Sequence, residues 1–263
     1  MIVSQIYADN PLRNFHYLIA CPTTRDALVI DPLDVEKCLN TAAGQNLKIT
    51  KILNTHEHWD HIGGNEEMRS KTGAKLYAHH GAMAKIDNVD VGLYAGDVIT
   101  IGTDVHLRVM DTPGHTDSHL CLLSETDLPA LFCGDTLFNA GAGNCHNGGN
   151  PDDLYDTFSK QLDLLADKVL VYPGHDYIVN NLEFTLDREP GNQAAQEMLE
   201  KLREQDPHNA YITTMADERR INSFFRLSNP AIIQKLQNED CAISDQPEPR
   251  EIFKALRQLR NHW

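Results

Sequence analysis

Three histidines and one aspartate fall within six residues of the stretch Thr55-His56-Glu57-His58-Trp59-Asp60-His61-Ile62-Gly63-Gly64-Asn65. Packing alone explains such a cluster poorly, because buried imidazoles and carboxylates need polar partners. These donors suit zinc, and also iron or manganese. An extended backbone sends alternate side chains to one face. His56, His58 and Asp60 are therefore expected to point together, with His61 aimed elsewhere, which makes two neighbouring ligand sets. His56-Glu57 opens like an H-E-x-x-H zinc helix. Position 60 is Asp, however, and the segment reads as strand into loop, so nothing requires Glu57 to be a ligand or a general base.

Other chemistry-bearing residues sit where strand-like runs end. His115 follows Pro113-Gly114, Asp135 follows Gly134, and His175 follows Pro173-Gly174. Taken singly, a histidine after Pro-Gly is usually a turn residue. Together they gain weight, because four clustered ligands leave two metals under-coordinated. Loops at strand ends also let a rigid sheet hold ligands from distant positions. The six cysteines are irregularly spaced and form no C-x-x-C pair, so no thiolate site is expected. Cys133, His119 and His79-His80 read as structural residues.

The elements that must position these groups follow from pattern. Met1–Tyr7, Phe15–Ala20 and Ala27–Asp31 read as strands parted by turn residues such as Asn10-Pro11. Lys48–Asn54 is the strand that delivers the dense stretch. Asn65–Lys71 suits a helix, with Gly73 as its stop. Further strands are expected at Lys75–Ala78, Val98–Ile101, Val105–Met110, His119–Leu123, Ala130–Cys133 and Lys168–Tyr172. A helix starts behind Asn150, with Pro151 and two acids in its first turn. Leu154, Phe158, Leu162 and Leu165 make its apolar stripe.

Beyond about residue 180 helical patterns dominate, at Gln193–Glu204, Pro230–Gln237 and Arg250–Asn261. On the last helix Ile252, Leu256, Leu259 and Trp263 share an apolar stripe. Arg250, Lys254 and Arg257 share another face, with Arg260 adjacent. Such a basic patch can hold a carboxylate, or it can simply offset the helix dipole. The expected organisation is a mixed α/β domain over residues 1–175 and a smaller helical domain over 176–263.

A chain of 263 residues suits one large domain or two smaller ones. Lys and Arg number 23 against 38 Asp and Glu, a formal charge of −15. That argues against nucleic acid as a partner, since such affinity rests on neutralising phosphates. The first residues show no basic segment followed by an apolar run. No stretch reaches the ~18 apolar residues of a membrane span. A reduced, cytoplasmic setting without a membrane partner is expected.

The pattern T-H-x-H-x-D-H-x-G-G, then P-G-H-T, G-D-T-L-F and G-H-x-Y, resembles the metallo-β-lactamase superfamily. Phe132–Phe138, Gly174–Tyr177 and Glu189-Pro190-Gly191-Asn192 make the chain similar to glyoxalase II, the hydroxyacylglutathione hydrolases, over essentially its whole length. The resemblance implies an α/β fold, a four-layer αββα sandwich with a smaller all-helical C-terminal domain for substrate binding. It implies two divalent metal ions, zinc first, with iron or manganese as alternatives. His56, His58 and His115 would hold one metal, Asp60, His61 and His175 the other, and Asp135 would bridge them. Asp60 and Asp135 would be the catalytic residues. A metal-bridging hydroxide would hydrolyse S-(2-hydroxyacyl)glutathione, such as S-D-lactoylglutathione, to glutathione and the hydroxy acid. The partner implied is that small thioester, bound by a monomer or small homo-oligomer.

One loop departs from the family. Glyoxalase II usually carries a Lys or Arg, and an aromatic residue two positions on, after the G-D-T-L-F segment. Here Asn144 and His146 stand there. Tyr177 matches the family's tyrosine, and Arg257 and Arg260 match its basic pair. The candidate substrate contacts are therefore Asn144, His146, Tyr177, Arg257 and Arg260. The missing loop cation leaves another thioester or a lactone open as substrate. A mononuclear-iron persulfide dioxygenase shares the early motif, but Asp60, His61, His175 and the long helical region oppose it. A non-catalytic binding module is opposed by the presence of all seven ligand positions.

Overall fold

A computed structural model describing residues 1–239, 241 and 243–263 resolves the apolar alternation into two six-stranded sheets. Strands β1 (Ile2–Tyr7), β2 (Phe15–Ala20), β3 (Asp26–Ile30), β4 (Lys48–Leu53), β5 (Lys75–His79) and β6 (Val91–Leu93) form the first, in that order. The second contains β7 (Val98–Ile101), β8 (Val105–Asp111), β9 (Leu120–Ser124) and β10 (Ala130–Gly134). The short pair β11 (Leu137–Phe138) and β12 (Gly141–Ala142) stands apart. Strand β13 (Leu170–Pro173) then runs parallel to β10, and β14 (Thr213–Thr214) closes that edge.

Period-two alternation explains the layering. Tyr17 and Ile19 of β2, Leu28 and Ile30 of β3, and Leu120 and Leu122 of β9 fill the space between the sheets. Their neighbours Leu18, Ala20, Ala27 and Val29 face outward, onto helices α1 (Val35–Gly44) and, after the single turn α2 (Trp59–Ile62), α3 (Asn65–Thr72). Cys121 and Leu123 face the opposite way, onto α4 (Pro151–Lys160) and the later helices. Both faces of each sheet are thus covered, so the strands read as nearly continuous apolar runs. The outcome is the expected αββα sandwich.

Capping chemistry sets several helix ends. Asp34 accepts from Lys37 N at 3.0 Å at the start of α1, and Asn150 accepts from Asp152 N at 2.8 Å at the start of α4. Gly73 ends α3 in the left-handed region at φ 69°. Helix α4 stops at Lys160, because Gln161 leaves helical geometry at φ −126°. Leu162 therefore packs from a 3-10 turn, not from the helix stripe.

The C-terminal region holds α5 (Ile178–Arg188), α6 (Gln193–Leu202), α7 (Met215–Ile221), α8 (Pro230–Asn238) and α9 (Pro249–Arg260). Two features of α9 correct the sequence reading. Trp263 lies beyond the helix end, half-exposed and edge-on to Phe184, so it is not part of the helix stripe. Arg250 and Lys254 do not form an open basic face. Arg250 pairs with Asp152 at 3.3 Å and Asp156 at 2.5 Å, and Lys254 pairs with Asp152 at 2.7 Å. Acids of α4 answer that half of the patch.

Glu218 of α7 is fully buried against the turn between β11 and β12. It accepts from Ala140 N at 3.0 Å, Thr213 Oγ1 at 2.7 Å and Asn222 Nδ2 at 2.9 Å. Burial pushes its carboxyl up to about 7, against the pull of those donors. The sign follows from linkage. A carboxyl raised in the folded state contributes stability that is full below its ordinary value and lost as pH rises through about 7. Urea unfolding of wild type and Glu218→Gln should therefore show the difference moving in favour of the Gln variant between about pH 5 and 8. A difference that stays flat would contradict this assignment.

Candidate metal centre

The candidate ligands leave the ends of four strands. Residues 54–61 follow β4, His115 follows β8, Asp135 follows β10, and His175 follows β13. Leu120 N bonds Thr55 O at 2.9 Å, so the two sheets are tied where the site sits. Gly134 takes φ 45°, and a Cβ there would lie 2.6 Å from Thr55 Oγ1. That close approach brings Asp135 against the histidine stretch.

The dense stretch is not extended throughout, which corrects the expected grouping of His56, His58 and Asp60. Helical turn α2 begins at Trp59, held by Asn54 Nδ2 bonding His61 O at 2.9 Å. The turn ends the alternation after His58, and the His61 ring packs on that of His56 with centroids 4.1 Å apart. Two donor sets result, and Asp60 goes with His61 and not, as an extended strand would have it, with His56 and His58. His56, His58 and His115 converge, as do Asp60, His61 and His175, and Asp135 meets His56 and His61 between them. Within each of these three groups the donor atoms lie within 4.8 Å of one another.

The inward donor atoms face one another across 3.0–3.5 Å. His58 Nδ1 lies 3.0 Å from both His56 Nε2 and His115 Nε2. His61 Nε2 lies 3.3 Å from His175 Nε2 and 3.4 Å from both Asp60 Oδ2 and Asp135 Oδ1. His175 Nε2 is 3.2 Å from Asp135 Oδ2, and His115 Nε2 is 3.5 Å from it.

The outer ring nitrogens settle where the imidazole protons are. His61 Nδ1 donates to Asp31 Oδ2 at 2.9 Å. His115 Nδ1 donates to Asn144 O at 2.7 Å, His175 Nδ1 to Leu12 O at 2.7 Å, and His58 Nε2 to Asn147 O at 3.0 Å. Each of these partners can only accept. Thr55 Oγ1 spends its own proton on Asp31 Oδ2 at 2.7 Å, so at 3.1 Å it accepts from His56 Nδ1. In the neutral state all five rings therefore turn lone pairs inward. Converging lone pairs and carboxylates fit a divalent cation, with outer partners orienting each ligand.

Charge in the pocket says the same. Burial opposes protonation of His61, but Asp135 and Asp31 outweigh it and push its pKa well up. Burial likewise opposes ionisation of Asp135, yet His175 and His61 hold it well below the usual carboxylate range. Asp60 is held low in the same way by His61 and Asn14. Burial pushes His56 well down and His115 down to about 4. The pocket thus draws positive charge between the carboxylates, while His56 and His115 stay neutral as metal ligands must.

Several positioning residues escaped the sequence reading. Asp31, at φ 49°, serves Thr55 and His61 at once. Asn14 Nδ2 bonds Asp60 Oδ2 at 3.0 Å. His119 stacks on His56 with ring centroids 5.1 Å apart, and its Nε2 accepts from Asp135 N at 3.1 Å. Cys133 is a packed thiol donating to Leu137 O at 3.1 Å. Glu57 turns to Lys85 and Thr116, away from the ligands.

The substrate candidates share one cleft of about 290 Å³, lined by Phe138, Asn144, His146, Tyr177, Asn180, Arg257, Arg260 and Asn261. Tyr177 stacks on His175 and donates to Leu12 O at 2.9 Å. Arg257 is buried and donates to the carbonyls of Ala142 at 2.5 Å and Gly143 at 3.1 Å. Burial and Arg260 bring its pKa down to about 10. Arg260 bonds Asn181 Oδ1 at 3.0 and 3.2 Å. His146 is exposed and Asn144 half-buried.

Comparison with known proteins agrees with this geometry. Residues 11–175 match the model of the metallo-beta-lactamase superfamily, and residues 176–263 match the hydroxyacylglutathione hydrolase C-terminus. A hydroxyacylglutathione hydrolase of Nitrosococcus oceani is 55% identical over 263 residues, all of both chains. This chain belongs to the hydroxyacylglutathione hydrolases, within the metallo-β-lactamase superfamily. A cytoplasmic hydroxyacylglutathione hydrolase of Arabidopsis thaliana is 34% identical, covering 95% of each chain. Among solved structures, ETHE1 from Myxococcus xanthus superposes with TM-score 0.68 at 28% identity, covering 99% of this chain and 98% of its own. The B3 metallo-beta-lactamase BLEG-1 shares the fold, with TM-score 0.65 at 22% identity over 85% of this chain and 99% of its own. Family membership and the convergent donors together make this a divalent-metal site.

Asp31 gives the direct check of the outer contacts. Asp31→Asn removes a charge and an acceptor from His61 and Thr55. Metal affinity should fall about 10–100-fold, measured by competition with a chelator. Unchanged affinity would show that Asp31 does not orient the ligands.

Proposed function

We propose that the chain hydrolyses S-(2-hydroxyacyl)glutathione thioesters, with S-D-lactoylglutathione as the expected substrate. The observation that carries this is the inward set of imidazole lone pairs and two carboxylates beside a cation-lined cleft. Full-length likeness to hydroxyacylglutathione hydrolases supports it. In this reading His56, His58 and His115 hold one metal ion and Asp60, His61 and His175 hold a second, with Asp135 between them. Zinc is the first choice, and iron or manganese share the same donor preferences. Bound divalent ions supply an acidified water and Lewis-acid polarisation of the thioester carbonyl.

The chain's own residues do the rest. Buried Asp60 and Asp135 stay ionised and give the cations fixed counter-charge. Asn14 holds the Asp60 carboxylate, and His119 fixes the backbone of Asp135 by accepting from its N–H. A thiolate leaves readily, so no general acid is required at the sulfur. Residues 1–175 carry the metal ligands, and 176–263 supply Tyr177, Arg257 and Arg260 to the substrate cleft. Arg257 is committed to the 142–143 carbonyls, so Arg260 is the principal cation for a substrate carboxylate. A cytoplasmic setting fits the buried thiols of Cys21, Cys38, Cys121 and Cys133. No helix among the described residues is long and apolar enough to cross a membrane.

Asn144 favours one second reading, a different thioester or a lactone, because the cleft loop lacks a cation there. A panel of acyl-thioesters and lactones, assayed on metal-loaded protein, separates the two. S-D-lactoylglutathione should give the highest kcat/KM, and chelation should abolish turnover. Preference for a lactone, or no thioester hydrolysis with two metals bound, would overturn the proposal. Asn144→Lys should lower KM for the glutathione thioester about two- to fivefold, the range of an exposed ion pair, with kcat little changed. An unchanged KM would remove Asn144 from the substrate contacts.

A further inference from the structure

One loop near the N-terminus touches both outer ligands of the second metal position. Leu12 O accepts from His175 Nδ1 at 2.7 Å and from Tyr177 Oη at 2.9 Å. Two residues on, Asn14 Nδ2 bonds Asp60 Oδ2 at 3.0 Å and Asp60 O at 3.4 Å. Between them stands Arg13, held at φ 59° in the left-handed region that non-glycine residues seldom adopt. Such a conformation persists only where surrounding contacts over-determine it.

Those contacts are built around Asp176, the residue after His175. Arg13 Nη2 pairs with Asp176 Oδ2, and Arg13 Nε donates to Asp176 O at 2.9 Å. Asp176 N returns a bond to Arg13 O at 3.0 Å. The Asp176 side chain is only 4% exposed, and its other oxygen accepts from Gln205 Nε2 at 3.3 Å. The guanidinium fork thus grips both the backbone and the carboxylate of the residue next to a ligand. A fork of this kind fixes geometry as well as charge.

The first metal position depends on a different loop. The outer nitrogens of His58 and His115 donate to Asn147 O and Asn144 O. Nothing in the Arg13–Asp176 assembly touches those carbonyls. We propose that Arg13 and Asp176 are positioning residues for the second metal site, holding Leu12 O and Asn14 where they orient His175 and Asp60. Asp31 supports both sets, but the Arg13–Asp176 assembly reaches only the second, so its loss should weaken that position selectively. This rests on the dinuclear reading above.

The test is titration of metal-free protein with Co(II), read by bound equivalents and by the visible spectrum. His115→Ala and His175→Ala supply reference signatures for loss at the first and second positions. Wild type should take up two equivalents. Asp176→Asn should weaken one of them at least tenfold and leave the spectrum of His175→Ala. Arg13→Lys should recover part of the second equivalent, since it keeps the charge and loses the fork, whereas Arg13→Ala should not. Equal weakening of both equivalents, the signature of His115→Ala, or two equivalents bound as in wild type would overturn the proposal. A wild-type protein that binds a single equivalent would instead remove the dinuclear reading itself. Arg13→Lys decides the question even if Asp176→Asn fails to fold.

Discussion

Five imidazoles and two carboxylates point their electron-rich atoms into one buried pocket, and the molecule is arranged to keep them there. Lone pairs separated by 3.0–3.3 Å cannot hydrogen-bond one another. Without positive charge they repel one another. The raised proton affinity of His61 shows the same demand, since a proton there substitutes in part for a cation. Acceptors on the far side of every ring block the simplest escape, which is to turn a proton inward.

Those outer acceptors explain why distant pieces of chain meet. Asp31, at the end of β3, governs His61 directly and His56 through Thr55. The 144–147 loop governs His58 and His115, and the 12–14 loop governs His175 and Asp60. The C-terminal region braces the second of these three supports. Arg257 binds the carbonyls of Ala142 and Gly143, and Glu218 binds Ala140 N. The loop that lines the substrate cleft therefore also anchors two imidazoles, which ties substrate grip to the shape of the metal pocket.

Much of this was legible in residue types. His56, His58, Asp60 and His61 stood out because imidazole and carboxylate in such density need a cation, and the strand-end residues His115, Asp135 and His175 gained weight only beside them. The strands were legible as short apolar runs between turn residues, and the sandwich came from the family resemblance. The way the dense stretch splits was not legible from its spacing, because α2 is a single turn, too short to impose a pattern of its own. Leu12, Asn144 and Asn147 act through backbone carbonyls, which carry no side-chain signature. Asn14 and Asp31 work at long range, so only the fold reveals their partners. The basic face of α9 misled because the acids that answer Arg250 and Lys254 lie about a hundred residues earlier, on α4. Strand β14 is two residues long, below the length at which alternation can be seen.

In the proposed reading this pocket holds two metal ions with Asp135 between them. Anomalous diffraction from crystals of the metal-loaded protein tests it most directly. Two peaks are expected about 3.5–4 Å apart, one among His56, His58 and His115 and the other among Asp60, His61 and His175, with a carboxylate oxygen of Asp135 near both. A single peak, or a pair with Asp135 outside its coordination, would contradict it.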